Sequence, residues 1–158
     1  MDIHLIWAQD KYGGIGKNGK LPWHISEDLK HFKTLTLNST IVMGRKTWDS
    51  LPIKPLPNRT NIILSKTQQN KNTYNSFEQC FNKLKEQNTK KIFVIGGRTI
   101  YKLFFNYADY LHITNIQIIK EGINEFFPIK NNEIELKFKL KNTHKLCEDA
   151  IYTYWEKI

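Results

Sequence analysis

The sequence predicts an α/β fold, with a mostly parallel sheet flanked by helices and an antiparallel C-terminal edge. Short apolar runs alternate with helical patterns along most of the chain, as expected for parallel strands joined by helices. In residues 134–141 apolar and polar residues instead alternate strictly, which is typical of an antiparallel strand with one wet face. The 158 residues fit one domain, 1–158, that can bury a core without disulfides or metals.

The apolar runs predict five buried strands, and the segments between them predict the helices. The strands are expected at residues 3–8, 41–43, 61–65, 92–95 and 111–116. Helices are expected at about 26–35, near 47, from 76 onward and at about 99–107. Residues 151–155 are expected to pair with 134–141.

Local residue choices mark the helix starts and the loops. Ser76 and Gln79 form a capping-box pattern, and the helix that follows has an apolar side made of Phe77, Cys80, Phe81 and Leu84. Prolines 52, 55 and 57 require a loop. Glycines 13, 14, 16 and 19 lie so close together that residues 13–19 are predicted to be a mobile lid.

The chain is strongly basic, with a formal net charge of +9. This charge has two interpretations: a lysine-rich solvated surface, or a site for an anion such as nucleic acid or a phosphorylated small molecule. The basic residues are spread along the chain, which weakens the nucleic-acid interpretation. The two cysteines, Cys80 and Cys147, lack metal or redox spacing. No apolar stretch is long enough for a membrane span, and the N-terminus resembles a strand rather than a leader. A cytoplasmic location is therefore expected.

Three predicted strand ends carry small residues, hydroxyls and cations. Ligands of open α/β sheets bind at the carboxyl ends of strands, where glycines let backbone N–H groups approach and cations hold phosphates. A tight turn is the alternative explanation for each motif alone, but three equivalent ends favour a ligand with several phosphates, such as a dinucleotide. The residues are Gly44, Arg45, Lys46 and Thr47, then Ser65 and Lys66, then Gly96, Gly97, Arg98 and Thr99.

The helix at 26–35 separates two adjacent carboxylates by its phase. At about 100° per residue, Asp28 lies about 45° from the centre of the apolar face, whereas Glu27 lies on the opposite side. Glu27 is therefore expected in solvent, and Asp28 is expected to point towards the sheet and be largely buried. The apolar face is formed by Ile25, Leu29, Phe32 and Leu35.

A buried Asp28 requires a partner, because an unpaired buried charge is costly. The helix N-terminus or a nearby hydroxyl is one possibility. The other is a ligand that brings its own donors, such as a planar heterocycle with two parallel N–H groups. Together with a polyphosphate site, the second possibility favours hydride transfer from a nicotinamide dinucleotide to a flat heterocycle.

The chain resembles the dihydrofolate reductases of the bacterial monofunctional type along nearly its whole length. The resemblance implies one eight-stranded, mostly parallel sheet, a monomer, and NADPH-dependent reduction of 7,8-dihydrofolate to tetrahydrofolate, with hydride added at pterin C6 and a proton at N5. It is carried by LIWAQDKYGGIGKNGKLPWHISEDLKHFK, TIVMGRKTWDSL, PLPNRTNIILS, KIFVIGGRTIY, LHIT and FFP.

On the substrate side, the resemblance implies that Asp28 binds the pterin 2-amino group and N3 and favours N5 protonation through a water. Thr114 would hydrogen-bond Asp28, and Trp23 would hold the water. Plain core packing is the alternative for the ring-wall residues, and a surface turn is the alternative for the arginine. Ile6 and Ile95 would offer carbonyls to inhibitors, Leu29, Phe32, Leu51 and Leu56 would wall the rings, and Arg59 would pair the glutamate α-carboxylate.

On the cofactor side, the resemblance implies a nicotinamide site, a phosphate site and an adenine site. Cations at Arg45 and Lys66 favour NADPH over NADH, and Gly96-Gly97 would be a cis peptide. The nicotinamide side would comprise Ala8, Ile15, Gly16, Gly19 and, nearest the ring, Leu21. The phosphate and adenine side would comprise Gly44, Arg45, Lys46, Thr47, Leu64, Ser65, Lys66, Gly96, Gly97, Arg98, Thr99, Ile100 and Tyr101.

Two departures from the family pattern and two rival functions remain. The run after the fourth strand has two glycines, which leaves open whether Arg98 or Thr99 meets the phosphate. Residues 122–128 lack the aspartate that ties down the lid elsewhere, so weaker coupling between this loop and the lid is expected. The rivals are the related NADPH-dependent reductase of riboflavin synthesis and a basic nucleic-acid-binding module.

Overall fold

The computed structural model describes residues 1–67 and 71–158. Their strands form an eight-stranded sheet of order β5-β4-β3-β6-β1-β7-β10-β9 and a two-stranded sheet of β2 and β8. Strands β1 and β3–β7 are parallel, whereas β10 runs antiparallel to β7 and β9. The predicted mixed sheet with an antiparallel C-terminal edge is therefore confirmed. The strands are β1 Asp2–Gln9, β2 Gly14–Gly16, β3 Thr40–Gly44, β4 Thr60–Leu64, β5 Thr73–Tyr74, β6 Lys91–Gly96, β7 Tyr110–Ile116, β8 Glu125–Phe126, β9 Phe138–Cys147 and β10 Ala150–Lys157.

The helices begin where the sequence predicted, with one addition. Ser76 caps α3 by accepting a hydrogen bond from the Gln79 amide, while the Gln79 side chain accepts one from the Asn75 amide. The predicted capping box is therefore present, with its return bond displaced by one residue. The α-helices are α1 Ser26–Thr36, α2 Arg45–Ser50, α3 Phe77–Glu86, α4 Arg98–Phe104 and the unpredicted α5 Asn131–Lys137; a 3₁₀ helix, Phe105–Tyr107, follows α4.

The prediction of a strand over 134–141 is wrong in its first half. Ile134 belongs to α5, and β9 begins only at Phe138. Both residues are 2% exposed, whereas Leu136 is 79% exposed. Alternation at every second position also contains pairs four residues apart, and one helical turn brings such a pair to the same side. The pattern therefore fitted both structures, and packing of Ile134 and Phe138 into the core favoured the helix.

The sheet has a different core on each face. Successive strand residues point to opposite faces, so β1 sends Leu5 and Trp7 to one core and Ile6 to the other. The larger core lies against α3, α4 and α5 and includes the buried Cys80, whose pKa burial raises to about 12. The smaller core includes residues of α1 and α2. No helix within the described ranges has the length and apolar character of a membrane span.

Candidate active site

Helix α1 presents its two acids in different environments, as its phase predicted. Glu27 is exposed, and its pKa is lowered mainly by the hydrogen bond from the Ser26 hydroxyl and also by the Cys147 thiol. Asp28 is partly buried rather than fully enclosed. No residue in the described parts of the chain forms an ion pair with Asp28.

The surroundings of Asp28 push its pKa in opposite directions. Loss of water raises the pKa of the carboxyl, whereas the hydrogen bond from Thr114 and the charge of His31 lower it, and burial dominates. Thr114, on β7, is 5% exposed and lies opposite Ala8 of β1. His31 lies one helical turn after Asp28, on the same side of α1. The carboxyl therefore has one donor from the sheet and free capacity towards the cleft.

Trp23 is close to this site in the chain and is also incompletely bonded. Its ring is 8% exposed and packs with Ile116 and Ala150. Its Nε1–H is buried and has no hydrogen-bond partner among the residues described. A buried indole N–H normally has an acceptor. The geometry is therefore compatible with an acceptor supplied by a ligand or a water.

Apolar side chains form one wall of the cleft. Three of the four predicted wall residues are partly buried against a core that contains Ile6 and Phe93, so each packs and keeps part of its surface accessible. Leu29 differs, since it is 40% exposed and lies outside the buried clusters. Plain core packing therefore does not describe Leu29, and it describes only part of the surface of Phe32, Leu51 and Leu56; Ile95, predicted for its carbonyl, packs in the same way.

Arg59 is held by the fold at the far end of this wall. Its Nε donates to the carbonyl of Pro57 at 2.9 Å, and one terminal nitrogen donates to the Thr36 hydroxyl at 3.1 Å. The guanidinium also lies 6.0 Å from the centre of the Phe32 ring. These contacts leave further N–H groups for an anion. Arg59 is thus a positioned arginine rather than a free surface one.

The predicted lid pairs with the loop that follows β7. Strand β2 pairs with β8, and the Asn124 amide donates to the Gly16 carbonyl at 3.1 Å. The side chains of Asn18 and Asn124 are joined by a 3.0 Å hydrogen bond, and the Asn18 backbone amide donates to the same Asn124 side chain. In this chain, which lacks the aspartate of the family pattern, the Asn124 side chain makes these contacts with the lid. Whether this weakens the coupling of loop and lid stays a prediction.

Glycines at two adjacent strand ends leave room beside a hydroxyl. Gly96-Gly97 is a cis peptide, as expected from the resemblance. Gly96 has a φ of +131°, and a Cβ there would lie 3.3 Å from the Thr47 Oγ1. A Cβ on Gly44 would lie 3.0 Å from the Ile100 side chain. A side chain at either position would press on these neighbours, so glycine lets the backbone of β3 and β6 lie close to α2 and α4.

The cations of the predicted phosphate site differ in how freely they are held. Arg45 forms an exposed ion pair with Asp49 at 3.0 Å, and Arg98 donates to the Phe126 carbonyl at 3.2 Å. Lys46 and Lys66 are exposed. Glycine backbone, a hydroxyl and several cations form a donor set that fits a phosphorylated dinucleotide. Three further residues of the predicted cofactor set are buried in the larger core: Leu64, Ile100 and Tyr101.

Sequence reasoning placed Tyr101 on the cofactor side and gave no role to three other polar residues near Asp28. The Tyr101 hydroxyl donates to the Ile6 carbonyl at 2.8 Å, which fixes one of the two carbonyls expected to face inhibitors. His112 and Tyr152 lie on β7 and β10, and His31 packs edge-on against Tyr152 with 4.2 Å between ring centres. The only available signal was the i, i+3 spacing of Asp28 and His31 on α1, because the other contacts depend on strand register.

Known proteins share this sequence and this fold. The family described as "Dihydrofolate reductase" matches residues 2–155. A dihydrofolate reductase of Ureaplasma parvum is 45% identical over 117 residues, 71% of this chain and 73% of the relative. One of Mycobacterium tuberculosis is 41% identical over 119 residues, 73% of this chain and 72% of the relative.

A solved structure extends the similarity to the whole fold. The dihydrofolate reductase from Enterococcus faecalis complexed with NADP(H) and RAB-propyl has a TM-score of 0.84 and 32% identity, covering 99% of this chain and 96% of that one. Because the family match spans nearly the whole chain, the resemblance found in the sequence is confirmed. The chain belongs to the dihydrofolate reductase family of NADPH-dependent oxidoreductases.

Proposed function

We propose that Asp28 is the residue on which this chain's reduction of 7,8-dihydrofolate by NADPH depends. The observation that carries the proposal is a partly buried carboxyl with a raised pKa, one hydrogen bond from Thr114, and no ion pair within the described residues. Its unused lone pairs face a cleft with an apolar wall. Such a group is suited to a flat ligand that brings its own N–H donors.

Asp28 performs two tasks in this proposal. Its carboxylate binds the 2-amino group and N3 of the pterin side by side, which fixes the orientation of the ring. Its charge also favours a proton on N5, which a water supplies, since a positioned acid can act through one water. Thr114 holds the carboxyl in place, and the unpartnered Trp23 Nε1–H is available to orient that water.

The remaining substrate residues hold the parts that do not react. Phe32, Leu51 and Leu56 bury the pterin and benzoyl rings, which removes apolar surface from water. Arg59 pairs with the α-carboxylate of the glutamate tail, using the N–H groups that Pro57 and Thr36 leave available. The remaining members of the proposed substrate set are Leu29 at the cleft mouth and the carbonyls of Ile6 and Ile95.

The cofactor residues hold NADPH along the carboxyl ends of the sheet. When bound, NADPH supplies the hydride that is added to pterin C6. Thr47, Arg45 and Lys46 contact the phosphates, and Gly96 and Gly97 allow the backbone to approach them. The 2′-phosphate and adenine lie against Leu64, Ser65 and Lys66, while Arg98, Thr99, Ile100 and Tyr101 line the start of α4. On the nicotinamide side Ala8, Ile15, Gly16, Gly19 and Leu21 close over the ring and exclude water.

We further infer the context in which this enzyme works. Residues 1–158 act as one domain, as a monomer in the cytoplasm, and antifolates bind where the pterin binds. The +9 charge attracts the anionic substrate and cofactor rather than nucleic acid, because the basic residues are spread along the chain.

The proposal is tested by following NADPH oxidation with dihydrofolate in the wild type and two variants. Asp28→Asn removes the charge and one acceptor, so we expect kcat/KM at pH 7 to fall by about 100-fold or more. Glu27→Gln changes the exposed neighbour on the same helix turn, and we expect turnover within about twofold of wild type, as for a surface site. Equal losses in both variants, or no loss in either, would contradict the assignment of roles.

A further inference from the structure

Below the Asp28 cleft, three polar rings form a hydrogen-bonded row across three strands. His4 Nδ1 of β1 lies 2.9 Å from His112 Nε2 of β7, and His112 Nδ1 lies 2.7 Å from the Tyr152 hydroxyl of β10. His112 is 6% exposed. We call His4, His112 and Tyr152 the His–Tyr chain. None of its members was assigned a role in binding or reduction above.

The protons of the His–Tyr chain can be counted. Burial lowers the pKa of His4 to about 4 and that of His112 to about 3, so both rings are neutral at pH 7 and each carries one N–H. The N–H of His112 can then point to His4 or to Tyr152, but not to both. In the first case the Tyr152 hydroxyl donates to His112 Nδ1. In the second case His4 Nδ1–H donates to His112 Nε2. Either way the Tyr152 hydroxyl is held by His112.

Tyr152 connects the His–Tyr chain to Thr114 and His31, the two residues that act on the Asp28 carboxyl. It lies directly opposite Thr114 in the β7–β10 register, and directly paired residues place their side chains on the same sheet face. Its ring also meets the His31 ring edge-on, with centres 4.2 Å apart and planes at 83°. Thr114 donates to Asp28, and His31 lies one turn after Asp28 on α1. Tyr152 therefore lies between the strand and the helix that hold the carboxyl.

We propose that Tyr152, fixed by His112 and His4, is a positioning residue for Asp28. It holds the His31 side of α1 against the sheet, which keeps the Asp28 carboxyl out of water and within reach of Thr114. This inference rests on the proposed function, because Asp28 matters for binding only if it is the pterin acid. The role differs from that of a catalytic residue, since Tyr152 acts through His31 and Thr114.

The charges around this region determine the sign of the expected effect. Asp28 is faced by Thr114 and His31, and His31 is faced by Asp28 and by His144 of β9. If the Tyr152 ring loosens, water reaches Asp28 and the desolvation that raises its pKa weakens. The same water raises the lowered pKa of His31, and a more cationic His31 lowers the Asp28 pKa further. His4 and Lys91 act on His112 and are more remote from Asp28. Loosening also weakens the Thr114 hydrogen bond, which acts in the opposite direction, but burial is the larger influence on this pKa. The net change therefore lowers the pKa of Asp28.

The test compares Tyr152→Phe with Tyr154→Phe, a matched control. Tyr154 is on the same strand and the same face and packs against His112, but its hydroxyl is outside the His–Tyr chain. The Asp28 carboxyl pKa is followed by ¹³C NMR in the ligand-free protein, and the affinity for a 2,4-diaminopyrimidine by calorimetry. We expect Tyr152→Phe to lower the Asp28 pKa and to weaken binding by about threefold to tenfold, as coupled neighbours do. Tyr154→Phe should change neither quantity.

Three results would overturn the inference. They are an unchanged Asp28 pKa in Tyr152→Phe, an equal change in both tyrosine variants, and a pKa shift without any loss of affinity. If Tyr152→Phe does not fold, His4→Phe keeps the stack on Tyr110 and removes the nitrogen at the other end of the chain; it must then lower the Asp28 pKa. The carboxyl pKa needs no turnover, so failure of dihydrofolate reduction in the wild type is distinguishable from failure of this inference.

Discussion

Two polar layers lie on the same face of the sheet, and they are bonded in different ways. In the His–Tyr chain the facing nitrogens of His4 and His112 and the Tyr152 hydroxyl are partners of one another. In the Asp28 layer the Trp23 Nε1–H has no partner among the described residues, and the carboxyl has a donor but no described cation. Buried polar groups that serve stability are paired within the protein, whereas those that serve a ligand keep capacity for it.

The difference has an energetic consequence. Removing a member of a paired network strands its partners and costs the desolvation of each. Removing a carboxyl that is partly desolvated and unpaired relieves a cost of the folded state. Substitutions in the His–Tyr chain should therefore act mainly on stability, and substitutions in the Asp28 layer mainly on binding.

The largest expected effect on stability is at the centre of the His–Tyr chain. His112→Phe removes two hydrogen bonds and leaves His4 and Tyr152 without their partner, so we expect the free energy of unfolding to fall by about 3 kcal/mol. Asp28→Asn should change it by less than about 1 kcal/mol. Urea unfolding of both variants measures the two values. A loss in Asp28→Asn as large as that in His112→Phe would break the comparison.

Acid should destabilise the protein through the same chain. The pKa of His112 is about 3 in the folded protein and 6.5 ordinarily, so the unfolded state binds more protons between these values. Stability is therefore full above about pH 6.5 and is lost as the pH falls towards 3. Between pH 6.5 and pH 5, protonation of His112 in the unfolded state alone should lower the free energy of unfolding by about 2 kcal/mol. His4 acts in the same direction.

Urea unfolding at several pH values checks this expectation, with His112→Phe as the reference. The variant lacks the group, so its free energy of unfolding should fall less steeply with acid. Below pH 6.5 the slopes of wild type and variant should differ by about 1.4 kcal/mol per pH unit. Equal slopes in wild type and variant would show that His112 does not remain neutral in the folded state.

A smaller effect is expected within the Asp28 layer, at Thr114, which donates a hydrogen bond to the Asp28 carboxyl. Thr114→Val keeps the shape and removes the hydrogen bond that lowers the Asp28 pKa, so this pKa should rise further. A ¹³C NMR titration of the carboxyl measures it. The control is Thr34→Val on α1, the helix that carries Asp28. It removes an exposed hydroxyl that donates to the Lys30 carbonyl, and it should leave the Asp28 pKa unchanged. A shift in the control, or none in Thr114→Val, would remove Thr114 from the site.

Much of the Asp28 layer could be predicted, because it depends on helical phase and on residues that are neighbours in the sequence. The phase of α1 separated Glu27 from Asp28, and the glycines that end β3 and β6 lie next to each other, as expected for parallel strand ends. The prediction was less accurate for Leu29, which helical phase placed on the buried side but which faces the open cleft at 40% exposure. Periodicity identifies a face of a helix and does not distinguish a core from a cleft.

The His–Tyr chain could not be predicted, because it depends on contacts between strands that are far apart in the sequence. His4 and His112 are 108 positions apart, and His112 and Tyr152 are 40 apart. A shift of one residue in register would send these side chains to the other face. The same dependence on packing explains the strand predicted over 134–137, where burial of Ile134 and Phe138 selected a helix.

The central claim, that Asp28 alone of the two adjacent acids binds the pterin, is tested most directly by equilibrium binding. The probe is a 2,4-diaminopyrimidine, whose parallel N–H groups match a carboxylate, titrated calorimetrically into the wild type, Asp28→Asn and Glu27→Gln. We expect Asp28→Asn to weaken binding by about 100-fold or more and Glu27→Gln to stay within about twofold of the wild type. Equal affinities in all three proteins, or a greater loss in Glu27→Gln, would contradict the account.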